Sequence, residues 1–313
     1  RLTGTVVDNA GSPVPGATIK VGSMLFTQSG QENRYDNFND MAGIRTAISD
    51  ADGTFSVVGI PVIATNVMAD HPDRGRSLAV AVPEGADDPP AMTLPLRGFG
   101  SITGKVTMQG QPVAGATIGE SSKGGTAQGT FTQTSDDGSY SMTRVPEGVH
   151  VLNAMRTQMM SLKSTSVTVT VAAGKSVVAN IDIPVGQIAL TVQIKALPGN
   201  KVDAAQVALF KGTVTVDNAK QLSDGFFQSG VIGLKTWLGP VFPNPEFDEI
   251  VPDSYSLCTV PFTGNLADPT VQQRIGQNLS ALKVYCKAIT VTPSPTSQTV
   301  THEVPSMQPL PPT

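Results

Sequence analysis

Charge is scarce in this chain of 313 residues: only 15% are Asp, Glu, Lys or Arg, and the formal net charge is -4. No cluster of Lys and Arg is interleaved with aromatic residues, which argues against nucleic acid or an anionic membrane surface as partner. Histidine occurs only at His71, His150 and His302, isolated from one another, so a zinc site is not indicated. The apolar runs are far below the roughly 18 residues of a membrane-spanning helix, so no transmembrane segment is expected in this chain. Familiar catalytic motifs are missing as well: there is no G-x-S-x-G elbow, Walker-type loop, H-E-x-x-H pair or dinucleotide fingerprint. With nucleophiles and bases this scarce, the chain reads as a non-enzyme with neither cofactor nor metal. It begins at Arg1 rather than Met, which implies a preceding segment; signal peptide, lipoprotein leader or further protein all remain open.

Cysteine is nearly absent. Cys258 and Cys286 fall in strand-like segments, 256–260 and 283–289, and read as a disulfide; the alternative is two buried free thiols of a cytosolic protein. What the chain does have is 24 Pro, 31 Gly and an abundance of Val, Thr, Ala and Ser, the composition of strands joined by tight turns. The length suits two or three modules of roughly 100 residues, each with its own core.

Self-comparison gives the count. Leu2-Thr3-Gly4-Thr5-Val6 matches Ile102-Thr103-Gly104-Lys105-Val106, and Pro13-Val14-Pro15-Gly16-Ala17-Thr18-Ile19 matches Pro112-Val113-Ala114-Gly115-Ala116-Thr117-Ile118. Further on, Ser49-Asp50-Ala51-Asp52-Gly53-Thr54-Phe55 matches Thr134-Ser135-Asp136-Asp137-Gly138-Ser139-Tyr140, and Pro61 matches Pro146. Alternation of Leu2, Gly4 and Val6 predicts a strand with one buried face, and Asp-Gly is a strong hairpin signal. The first copy carries an extra polar stretch within Gly22 to Ile44 that reads as a long loop. The runs Ser77 to Val82 and Ser164 to Val171 predict further strands before the closing segments Met92–Leu96 and Ile181–Val185. A diverged third copy follows, opening at Ile188–Ile194, with Asp203–Leu209 and Val251–Tyr255 as weaker echoes. Asp268-Pro269 starts an insertion whose Val271, Ile275, Leu279 and Leu282 are spaced for one face of a short helix between the cysteines.

The ordered blocks Gly-x-Val, Pro-Val-x-Gly-Ala and Asp-Gly-x-Phe/Tyr resemble the carboxypeptidase regulatory-like domain, a β-sandwich related to transthyretin-like and collagen-adhesin B-type modules. The resemblance covers nearly all of the first two copies. It implies a structural, adhesive or partner-binding domain of secreted bacterial or animal proteins, with no catalysis of its own. The fold class is therefore all-β, three tandem Greek-key-type β-sandwich modules, the third with insertions including a short helix. The expected boundaries are 1–98, 99–186 and 187–305, with a Pro-rich tail over 306–313.

Several candidate sites follow. Collagen-adhesin B-type modules often carry a Lys to Asn isopeptide bond, and Lys105 and Asn180 have the residue types; strand alternation instead turns both to solvent, and the first copy lacks the Lys. Asp50, Asp52, Asp136 and Asp137 could offer carboxylates to calcium, but Asp before Gly is what a hairpin turn requires. Most aromatics gather in the last third, where Phe226, Phe227, Trp237, Phe242 and Phe247 lie in a Gly- and Pro-rich insertion. Core packing is the favoured role for them, and a glycan-stacking or protein-contact surface the alternative. The function expected is that of an extracellular or cell-surface structural or adhesive protein, a subunit that joins protein partners or itself through β-edges. The alternative is a carbohydrate- or protein-binding accessory module.

Overall fold

The computed structural model of the chain describes residues 1–22, 25–29, 35–36, 44–60, 65–83, 89–122, 128–158, 161–224, 231–264 and 268–308. The opening strand β1 (Leu2–Val7) buries Leu2, Gly4 and Val6 and turns the residues between them outward, as the alternation predicts. It lies between β6 (Thr54–Val57), antiparallel, and β10 (Met92–Pro95), parallel. Facing it is a second sheet in which β2 (Thr18–Gly22) sits between β5 (Arg45–Ile48) and β7 (Thr65–His71), while β8 (Gly75–Arg76) and β9 (Val80–Val82) both pair with β7. Leu2, Val6, Ile19, Val21, Phe55 and Val67 fill the space between the sheets.

The same plan recurs. β11 (Phe99–Met108) takes β15 (Ser139–Pro146) antiparallel on one side and β18 (Ser176–Val178) parallel on the other, with β12 (Gln111–Pro112) and β19 (Ile181–Ile183) also paired to it. The opposing sheet runs β17 (Ser161–Val171), β16 (Gly148–Gln158), β13 (Thr117–Ser122), β14 (Gln128–Gln133), and is continued by β3 (Leu25–Gln28) and β4 (Tyr35–Asp36). In the last third, β20 (Ile188–Ala196) lies between β23 (Glu246–Ile250), antiparallel, and β26 (Ser297–Val304), parallel. Its facing sheet is β22 (Val231–Trp237), β21 (Ala204–Lys211), β24 (Asp253–Phe262), β25 (Tyr285–Val291). The chain is thus all-β, and the order of pairing that defines the first sandwich is repeated twice.

The motif residues of the two close copies interlock. A Cβ built at Gly104 would run into the Ala179 carbonyl oxygen and stand 2.9 Å from the Tyr140 ring; at Gly4 it would meet Met92 and Phe55 in the same way. Gly-x-Val therefore exists so that the aromatic of Asp-Gly-x-Phe/Tyr can lie on bare backbone. The aligned hydroxyls of Ser49 and Thr134 act as buried clips: Ser49 Oγ donates to Val14 O and accepts from Ala17 N, and Thr134 Oγ1 does the same with Val113 O and Ala116 N.

Three expectations need correction. The polar stretch Gly22 to Ile44 is not all loop: β3 and β4 lie within it, with Leu25 buried against Met68 and Ala79 of the first copy and Phe26 buried beside Gly129 of the second. Strand pairing at Ser77 to Val82 is confined to β9, since Ser77 O and Ala79 N bond the amide of Gln128 instead. The predicted helix is α2 (Pro269–Gln277), capped by Asp268, whose carboxylate accepts from Thr270 N at 2.8 Å; Leu279 and Leu282 lie beyond its end. A second helix, α1 (Ala219–Asp224), precedes it, and Asn218 and Gln221 frame its start, with Asn218 Oδ1 accepting from Gln221 N and Gln221 Oε1 from Asp217 N. Leu222 of α1 and Ile275 of α2 pack with Phe210, Cys258 and Val260 in a separate apolar cluster.

Packing divides the chain into two compact units. The first is 1–107, 112–154 and 167–181; the second is 108–111, 155–166 and 182–313.

Candidate functional site

Within the first unit, the first two sandwiches are fastened to one another by more than the chain between them. β3 pairs in parallel with β14, Leu25 opposite Gln128, so a strand of the first copy becomes part of the second copy's sheet. Beside it Gln128 spans the junction, donating from Nε2 to Ser77 O at 3.0 Å and accepting at Oε1 from Ala79 N at 2.6 Å. On β7, Asp70 is only 7% exposed and holds three cations: Lys20 Nζ at 3.7 Å, Arg76 at 3.4 Å and, from the second copy, Arg144 at 3.0 Å. Arg144 adopts a left-handed backbone (φ 53°), donates to Pro72 O, and lays its guanidinium 4.2 Å from the centroid of Phe99. Burial pulls the Lys20 ammonium down to about 8, against the opposing pull of Asp70. One carboxylate thus anchors both modules, and removing it would strand buried cations.

A second buried polar pair lies inside the second sandwich. Glu120 occupies the position that Val21 fills in the first copy, and it pairs with His150 Nδ1. His150 is fully buried and its Nε2 donates to Pro146 O at 2.6 Å. Both ring nitrogens are engaged, so this histidine offers no electron pair to a metal or substrate.

Of the aromatics singled out in the third copy, Trp237 and Phe247 are in the core, 5% and 3% exposed, Trp237 on β22 opposite Ala205 and Phe247 on β23 opposite Leu190. Large apolar rings at strand positions facing the opposite sheet are buried, which removes these two from any solvent-facing platform. Phe242 is 51% exposed, in a turn with Leu238 and Val241, also exposed. Phe226 and Phe227 lie outside the described residues. Cys258 and Cys286 stand opposite each other in the β24–β25 ladder and form a disulfide that ties the sheet-ending β25 to a fully buried neighbour.

The remaining candidates have structural partners. Lys105 is exposed and its Nζ meets Asp137 at 3.3 Å, while Asn180 Oδ1 accepts from Lys105 N at 3.0 Å, bridging the break between β18 and β19. Each side chain is bound elsewhere than to the other, as the outward-facing argument requires. Asp52 and Asp137 cap their own turns, accepting from Thr54 and Ser139; those bonds lower both carboxyls, Asp137 to about 2. In β26, His302 Nδ1 sits 2.9 Å from Thr259 Oγ1, and burial lowers its imidazole to about 4, with Lys287 adding to the effect.

Asp70, Arg144 and Glu120 were not singled out from sequence, and His150 was named there only to set aside a zinc site. The signal for Glu120 was present in the repeat, as a charged residue aligned with a core valine.

Residues 101–184 match the carboxypeptidase regulatory-like domain family. The second sandwich is similar to that domain over these residues. The first repeats the residues that build it: Gly4 under Phe55, the Asp52-Gly53 turn and the Ser49 clip correspond to Gly104 under Tyr140, Asp137-Gly138 and Thr134 of the matched regulatory-like domain. No curated protein matches the chain. Similar solved structures include the minor pilin GBS52 of Streptococcus agalactiae, 13% identical with a TM-score of 0.30, covering 58% of this chain and 95% of that one. The shaft pilin SpaA of Lactobacillus rhamnosus GG is 9% identical with a TM-score of 0.23 over 58% and 96%. A streptococcal ancillary pilin is 10% identical with a TM-score of 0.25 over 98% and 99%. Among the described residues no helix is long and apolar enough to cross a membrane.

Proposed function

We propose that this is a non-catalytic structural protein of the cell surface or extracellular space, built from sandwich modules at 1–98, 99–186 and 187–305 with a tail over 306–313, and that it works by assembling with protein partners. The observation that carries the reading is the junction of the first two modules. A shared six-stranded sheet and an Asp70 buried among three cations make a joint that resists bending, which suits a load-bearing spacer. The disulfide supports export to an oxidising compartment. Light scattering and negative-stain imaging of the purified chain test the assembly: concentration-dependent oligomers or filaments are expected, and a monomer at every concentration overturns it. Immunolabelling of intact cells tests the location.

The exposed Leu238, Val241 and Phe242 favour a second reading, an accessory module that binds a glycan or protein through this turn. Binding on a glycan array that is lost in Phe242→Ala would support it.

A further inference from the structure

The strand registers of the two close copies set their residues in correspondence. Ile48 on β5 opposes Thr18 as Gln133 on β14 opposes Thr117, and Val57 on β6 opposes Leu2 as Met142 on β15 opposes Ile102. So β5 is the counterpart of β14, Val58 of Thr143 and Gly59 of Arg144; the last two share a left-handed backbone, φ 67° and 53°. In the second copy these are the places where the first takes hold of it. There β3 pairs along β14, Ser29 N donates to Phe131 O while Ser29 Oγ accepts from Thr143 N, and Arg144 reaches Asp70.

In the first copy the same face is bare. Among the described residues β5 ends its sheet, paired only with β2. Arg45 is exposed where its counterpart Thr130 is buried, and Ile48 and Val58 are 67% and 69% exposed. Ser49 N bonds Ala17 O, so by alternation along the strand Thr46 and Ile48 turn their N–H and C=O groups away from β2. Phe131, the counterpart of Thr46, gives that outward carbonyl to Ser29. A cation stands on this face too: Arg45 Nε donates to Gly59 O at 3.2 Å, which sets a guanidinium beside the position from which Arg144 meets Asp70.

We infer that β5, Val58 and Gly59 are the seat of a further sandwich module of the same kind, the one immediately before the first copy in the full-length polypeptide. It adds a strand along β5 and meets Arg45 with a carboxylate. The occupant follows from the repeat: the matching face of the second copy is covered by the module directly ahead of it, joined through 96–98 alone. Such a strand would pair the outward backbone groups of Thr46 and Ile48 and take two branched apolar side chains out of water. The inference does not depend on the assembly reading, because the cover belongs to the same polypeptide.

Hydrogen exchange tests it on two chains, residues 1–313 and the same chain extended by the residues its gene encodes ahead of Arg1. In the longer chain the Thr46 and Ile48 amides are expected to exchange at least about tenfold more slowly. Arg45→Glu with Ile48→Lys should restore the faster rate there, and leave the melting temperature of the 1–313 chain unchanged, since both side chains are exposed. The inference is overturned if no sandwich module lies ahead of the first copy, if one does and exchange at β5 is unaltered, or if the protection survives the double variant. Protection that grows with concentration in the 1–313 chain alone would assign this face to a second copy and overturn it equally.

Discussion

At the scale of single residues, the repeated motif is a set of contacts, each with a cost if broken. Gly104 is glycine because Tyr140 lies across it and donates its hydroxyl to Ala179 O at 2.6 Å. Gly104→Ala forces that ring and the closing strand apart, and a loss of about 1–3 kcal/mol in the first unit is expected, read from urea denaturation. His302 makes a pH prediction. In the unfolded chain it takes a proton near 6.5, in the fold only near about 4. Between those values the unfolded state binds more protons, so acidification favours unfolding, and stability present above 6.5 is lost as the pH falls towards 4. The loss is expected to approach about 3 kcal/mol. Denaturation of the wild type and of His302→Gln at pH 7.5 and 4.5 checks this, the variant showing a smaller difference.

At the scale of elements, what distinguishes the third module is what has been added to a common plan. The helices pack in the same cluster as Phe210 and Val260, and the disulfide holds β25 against β24 on either side of the α2 insertion. The bridge encloses a 28-residue separation, for which chain-entropy arguments give about 3 kcal/mol. Cys258→Ala with Cys286→Ala is therefore expected to lower the melting temperature of the second unit and leave the first where it was, measured by calorimetry. In the first unit the informative element is β3. Two apolar residues, Leu25 and Phe26, turn an insertion into a strand of the neighbouring module, something a polar average over the insertion conceals.

For the whole molecule, compactness gives two units, and the first contains the first copy and most of the second, whose residues 108–111 and 155–166 fall in the other unit. Because Asp70 and the shared sheet bind those copies, they are expected to unfold in one cooperative transition, with the second unit giving another. Asp70→Asn leaves Lys20, Arg76 and Arg144 around a neutral amide, and a drop of about 3–5 kcal/mol confined to the first transition is expected in differential scanning calorimetry. Two separate transitions for the close copies in the wild type would contradict the joint described above.

Much of this was legible in the amino-acid order. Alternation set the faces of β1 and β11, the Asp268-Pro269 pair marked a helix start, and two cysteines in strand-like segments gave the disulfide; Asp-Gly marked tight turns, but these turns carry the chain from one sheet to the facing one, β5 to β6 and β14 to β15, and are not the hairpins that the dipeptide predicts. All of these are local, depending on residues a few positions apart or on a motif repeated in order. The tertiary structure alone decided the rest: that Asp70 meets Arg144 across 74 positions, that a strand from the first copy completes the second copy's sheet, and that Trp237 and Phe247 face inward. Those outcomes depend on which buried charge finds a partner and which apolar pair finds a sheet edge. Neither periodicity nor composition encodes that, because the free energy of each contact belongs to both of its ends.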